Sequence, residues 1–98
     1  MAQFMIDIQI PGNPDQEFFE LIPHQRAHID KLLEQGTITG YSLSLDRSRL
    51  WITLNARTER DAVEILAGFP MFRYFEPTIH PLMFHNSSLM SILKVSLN

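Results

Sequence analysis

Apolar and polar positions alternate at the start of the chain. Phe4, Ile6, Ile8 and Ile10 are interleaved with Met5, Asp7 and Gln9. This period of two predicts a strand with one apolar face, ended by Pro11-Gly12. The period then changes. Phe18, Leu21, Ile22, Gln25, Ile29, Leu32 and Leu33 fall at helical spacing, and Gly36 stands where a helix would close. Asn13 is read as the N-cap, with Pro14 at the first helical position and Asp15-Gln16-Glu17 in the first turn. Pro23 lies inside the pattern and cannot donate to the carbonyl of Phe19, so a kink or a division of the helix is expected there.

A second strand is expected over 37–45, carrying Ile38, Tyr41, Leu43 and Leu45. After the polar turn Asp46-Arg47-Ser48, Leu50, Ile52 and Leu54 alternate with Trp51, Thr53 and Asn55, which makes a hairpin. Thr58-Glu59-Arg60-Asp61 resembles a capping box with Asp in the last place. Ala62, Val63, Leu66 and Phe69 then follow at helical spacing, and Gly68 stops the helix. Phe69-Pro70-Met71-Phe72 forms a compact apolar corner, and a fourth strand is expected over 78–85. Pro77 and Pro81 place that strand at a sheet edge. The segment 88–98, with Leu89, Met90, Ile92, Leu93, Val95 and Leu97, is apolar enough to act as an arm docking on the domain or on a neighbour.

Strand, long helix, hairpin, short helix, strand is the ferredoxin-like β-α-β-β-α-β order of an α+β protein. It predicts one domain over 1–98. Two helices cover one face of a four-stranded sheet, and the other face carries Met5, Trp51 and some of Leu82, Met83 or Phe84 among Asp7, Gln9 and Thr53. A partly apolar open face needs a cover. The simplest cover is the same face of a second copy, which gives a homodimer. Asp7 on that face is expected to pair with an Arg of the partner or to be a desolvated acid.

The composition narrows the classes of function. The chain has 98 residues, 45% of them apolar and 19% charged, which is a folding composition for one small domain. The net charge is −3 with no basic run, so nucleic acid is not an expected partner. The absence of cysteine excludes disulfides, thiolate catalysis and Cys-type metal sites. The N-terminus has no basic n-region followed by an apolar core, and no apolar run approaches the ~20 residues that span a bilayer. The expected location is the cytoplasm, with no membrane partner.

Several stretches resemble a known family. Gln35-Gly36-Thr37 closes the long helix, Gly68-Phe69-Pro70-Met71-Phe72-Arg73-Tyr74-Phe75-Glu76 forms the corner, and Ile79-His80-Pro81-Leu82 with His85-Asn86-Ser87-Ser88 forms the ending. Together these are similar to the muconolactone isomerase family over roughly 4–88, within the dimeric α+β barrel group that also contains the YciI-like proteins. The resemblance implies a ferredoxin-like subunit, a dimer or a larger assembly such as a decamer, and a cofactor-free proton shift on a small lactone. It also puts two acidic helix positions of the family on Gln25 and Ala27, and the family's Trp-Arg pair on Ser42 and Leu43.

The candidate chemistry lies on the long helix and the hairpin. His28 sits near the buried stripe, and an imidazole can act as acid or base, which makes it the candidate for proton transfer. Gln25 lies within the stripe, where its amide must find partners or line a pocket with His28. His24 and His28 are one helical turn apart, a spacing that suits two imidazoles on one metal. No third ligand lies nearby in sequence, so no metal site is expected. A helix histidine is functional in YciI-like proteins, and His24 or Gln25 falls in that region. Tyr41 and Trp51, on neighbouring strands, are expected to stack on a small unsaturated ligand or to pack in a dimer interface. His80 is expected to face the same cavity or the interface, and His85 to fasten the end of the last strand. The leading expectation is a cofactor-free isomerase or lyase acting on a small lactone or unsaturated organic acid. The alternative is a non-catalytic small-molecule-binding or assembling subunit of the same fold, and a third reading is a metal-binding protein.

Overall fold

The computed structural model describes residues 1–86, and the predicted arm over 88–98 lies outside the described residues. The elements run β1 (Ala2–Gln9), α1 (Gln16–Glu34), β2 (Ile38–Leu43), β3 (Arg49–Ala56), α2 (Glu59–Ala67), a 3-10 turn (Phe72–Tyr74) and β4 (Glu76–Leu82). The four strands form one antiparallel sheet in the order β2-β3-β1-β4. This is the ferredoxin-like split β-α-β arrangement expected from the chain.

The sheet register separates the two faces. Phe4, Ile6 and Ile8 on β1 pair with Leu54, Ile52 and Leu50 on β3, and all six are buried under the helices. Phe18 and Ile29 of α1 and Ala62 and Leu66 of α2 close over them, with Phe69, Met71 and Phe75 from the corner completing the same core cluster. Burying an aliphatic side chain of this size contributes roughly 1.5–3 kcal/mol, so this layer contact stabilises the fold. The opposite face carries Gln3, Met5, Asp7 and Gln9 across from Asn55, Thr53, Trp51 and Arg49, with Leu82, His80, Thr78 and Glu76 on the other side of β1.

β4 is an edge strand, as its prolines required. Pro77 and Pro81 are an even number of residues apart, so both nitrogens face the same edge, and an outer strand can turn that edge away from its one neighbour. The strand ends at Leu82, earlier than expected, and Met83 and Phe84 lie exposed beyond it.

Local chemistry moved several other boundaries. The N-cap of α1 is Asp15 rather than Asn13, because its Oδ1 accepts the Phe18 N–H at 2.8 Å, leaving Pro14 outside the helix. Pro23 does not divide α1, which runs unbroken from Gln16 to Glu34. Pro23 and Phe19 are exposed, so water can reach the carbonyl that loses its donor. The C-terminus is a Schellman turn: Thr37 N–H donates to the Leu32 carbonyl at 3.0 Å and Gly36 N–H to that of Leu33 at 3.1 Å, with Gly36 at φ 75°. β2 stops at Leu43, and Leu45 lies in the turn fully exposed. Thr58 caps α2 by accepting the Asp61 N–H at 3.1 Å, while the Asp61 carboxylate accepts from Arg57 Nε at 3.0 Å. Among the described residues no helix is long and apolar enough to cross a membrane.

Candidate functional site

α1 places Gln25 and His28 on the side facing the corner that follows α2. Gln25 continues the buried stripe of Phe18 and Ile29 and is 7% exposed. A polar side chain at such depth requires a partner. Its Oε1 accepts the backbone N–H of Met71 at 3.1 Å, a contact spanning 46 residues of sequence. The corner explains why that N–H is available. Phe69, Phe72 and Tyr74 N–H groups donate to Leu66, Phe69 and Met71 carbonyls, so the turn uses its neighbours' donors but not that of Met71. Gln25 Nε2 is buried and has no hydrogen-bond partner among the described residues.

His28 lies one turn further along, half-buried, with its ring 5.6 Å from that of Phe69 and edge-on at 74°. The 69–71 segment thus touches both residues. His24, a turn earlier, is exposed. Among the described residues no group of three or more His, Cys, Asp and Glu side chains has metal-binding geometry.

A second set of contacts pins the same corner to the start of α1. Tyr74 donates its hydroxyl to Asp15 Oδ1 at 2.8 Å and accepts from Arg73 Nη2 at 2.7 Å. The Arg73 guanidinium lies 4.7 Å over the Tyr74 ring and pairs with Glu17. Phe18 meets Tyr74 edge-on at 5.2 Å. The Phe18 N–H, then the Tyr74 hydroxyl, hold the Asp15 carboxyl below its usual range. Desolvation, then the Asp15 carboxylate, raises that of Tyr74.

Trp51 and His80 are not part of this corner. Trp51 pairs with Asp7, and His80 with Met5, on the open face of the sheet, so the sheet itself separates them from Gln25 and His28. Tyr41 and Trp51 do not share a face of the sheet. Tyr41 pairs with Ile52, on the helix-covered side, while Trp51 faces the other way. The cause is a bulge between Ile38 and Gly40, where the extra residue reverses the phase of the strand. Thr39 is held there by its hydroxyl, which donates to Thr53 Oγ1 at 2.9 Å. Asp7 is also corrected: its partner is Arg49 of its own chain, whose Nη1 lies 3.0 Å from both carboxylate oxygens.

Elsewhere, a shallow groove of about 440 Å³ lies between the end of α1 and α2, lined by Leu32, Thr37, Asn55, Asp61 and Ile65 among others. It contains none of the predicted site residues. Phe69 and the Met71 N–H are the contributors that the residue-by-residue reading did not assign to the site. Their only sequence signal was the corner motif, because a backbone donor has no signature of its own.

The comparisons with known proteins agree with this architecture. A 5-chloro-2-hydroxyhydroquinone dehydrochlorinase (TftG) from Burkholderia phenoliruptrix AC1100, solved in complex with 2,5-dihydroxybenzoquinone, matches with a TM-score of 0.70. The identity is 12%, over 86% of this chain and 95% of that one. A crystal structure of muconolactone isomerase matches with a TM-score of 0.70 and 17% identity, over 89% of this chain and 94% of that one. At these identities the likeness is one of fold. No curated protein matches at the level of sequence. The family model for muconolactone delta-isomerase matches residues 3–88. The chain therefore belongs to the muconolactone delta-isomerase family.

Proposed function

We propose that this chain works in the cytoplasm as a cofactor-free isomerase or lyase of muconolactone isomerase type, acting on a small lactone or unsaturated organic acid by proton transfer. The observation that carries this reading is the pair on α1: a half-exposed imidazole, His28, one turn from a buried amide, Gln25, under the same 69–71 segment. Membership of the family and the ring compounds named for the two solved relatives support the substrate class.

In this mechanism His28 removes a proton from a carbon conjugated to the ligand carbonyl. The electron pair of that C–H bond enters the conjugated system as an enolate. Return of the proton at the far end of the system moves the double bond, with no net redox change. A positioned imidazole typically contributes 10²–10⁴-fold to such a step. Gln25 and Tyr41, both on the helix side of the sheet, orient the ligand. Trp51 and His80 take no part in this centre and belong instead to the face through which two copies associate.

A second reading, a non-catalytic binding or assembling subunit, is favoured by the packing of Phe69 on His28 and the hold of Gln25 on Met71, since both contacts also serve the fold. The test is turnover of muconolactone by the purified protein and by His28→Asn. The proton-transfer reading expects conversion by the wild type and a fall in kcat/KM of about 10²–10⁴ in the variant, at unchanged circular dichroism. Absence of conversion by the wild type favours the second reading.

A further inference from the structure

The backbone imposes a direction on the Gln25 amide. Its Oε1 faces the Met71 N–H at 3.1 Å. A flipped amide would set donor against donor, so the orientation follows from the hydrogen bond itself. What remains free is Nε2, which can only donate. It is buried, in a residue 7% exposed, and unpartnered among the described residues. A buried donor without a partner is unfavourable, and an oxygen brought to it relieves that cost. His28, one turn on, is half-exposed.

We propose that Gln25 is the specificity-determining residue of this site, a donor-only amide that selects ligands presenting a carbonyl or carboxylate oxygen and rejects amines. The inference rests on the isomerase or lyase reading for the existence of a ligand site, and adds the polarity of the ligand. An amine or ammonium group would place donor against donor at Nε2. A lactone carbonyl or a carboxylate completes the amide, and a carboxylate does so with a charge-assisted bond.

The test uses the full chain, ¹⁵N-labelled, titrated with benzoate, with butenolide and with benzylamine. The reporter is the side-chain amide signal of Gln25, assigned by its loss in Gln25→Glu. Benzoate and butenolide are expected to move that signal saturably, and benzylamine to leave it in place. Gln25→Glu keeps an acceptor for the Met71 N–H and nearly the same shape, but removes the donor. It is expected to retain the folded amide spectrum and to bind butenolide roughly tenfold more weakly at pH 8. Binding should recover as pH falls and the introduced carboxyl gains a proton, which restores a donor. A signal that benzylamine moves as far as benzoate does, or Gln25→Glu binding butenolide as tightly as the wild type at pH 8, overturns the proposal. Turnover separates it from the underlying reading. If the amide responds to benzoate but His28→Asn loses no activity, proton transfer by His28 fails and acceptor selection stands. If activity depends on His28 but the amide ignores both oxygen ligands, acceptor selection fails alone.

Discussion

Asp46 organises the β2–β3 turn with one carboxylate oxygen. Oδ1 accepts from Ser44 Oγ at 2.8 Å, from Ser48 N–H at 3.0 Å and from Ser48 Oγ at 2.7 Å. These bonds, led by the Ser48 hydroxyl, lower its pKa from 3.8 to about 2. Because the folded value lies below the unfolded one, the ionised carboxylate favours the folded state. That contribution is complete above pH 3.8 and is lost as pH falls toward about 2. Asp15 is shifted in the same direction by the Phe18 N–H and the Tyr74 hydroxyl, so it adds to the same slope. The urea midpoint should therefore drop over this acidic range, and Asp46→Asn should make the drop shallower. An equal slope in the variant would show that the turn carboxylate is not a source of the effect. The three acceptor bonds were foreshadowed by Ser44, Asp46 and Ser48 standing two residues apart. The bond from Met71 to Gln25 was not, since nothing local marks which distant N–H a buried amide will meet.

At the scale of elements, the period of two in β1 and β3 and the helical spacing in α1 and α2 placed every strand and helix in order. The boundaries moved where a specific hydrogen bond competed with propensity, as at Asp15, or where the edge ran out of partners, as at Leu43 and Leu82. Gly36 closes α1 at φ 75°, with nothing within 4 Å of the position a Cβ would take. A Cβ there would meet no clash, so the cost set by the backbone is that of the left-handed conformation. Gly36→Val should lower unfolding free energy by about 1–2 kcal/mol, and Gly36→Asn by less, measured by denaturant titration. Equal stability of the valine variant would mean that the helix ends without this conformation. The bulge at Thr39 is the clearest miss among the elements. Ile38 and Tyr41 are three residues apart, out of phase for one face of a regular strand. That mismatch was present in the sequence, but only the paired strand shows that an inserted residue resolves it.

For the whole molecule, the decisive feature is the sheet face that no helix covers among the described residues. It combines half-buried Met5 and Leu82 with Trp51, 38% exposed, around the Asp7–Arg49 pair. We propose that a second copy covers this face. A carboxylate already neutralised within its own chain can be brought under a partner at less cost than a free one. Sedimentation should find the wild type associated at micromolar concentration, and Trp51→Glu should weaken association at least roughly tenfold, since it sets a charge in the middle of the covered face. A wild type that sediments as a monomer would remove the dimer, and a variant that associates as tightly as the wild type would move the interface elsewhere.

The order of the elements, the burial of Phe4, Ile6, Ile8, Ile52 and Leu54, and the openness of one sheet face were determined by the sequence, because periodicity is a local property and alternate residues of a strand must face opposite ways. The site depended on the tertiary structure. The partition of six candidate residues between the two sides of the sheet, the pairing of Asp7 with Arg49, and the donor-only state of Gln25 each rest on contacts between distant parts of the chain. Register, a single bulge and one backbone N–H decide them, and none of the three leaves a periodic trace.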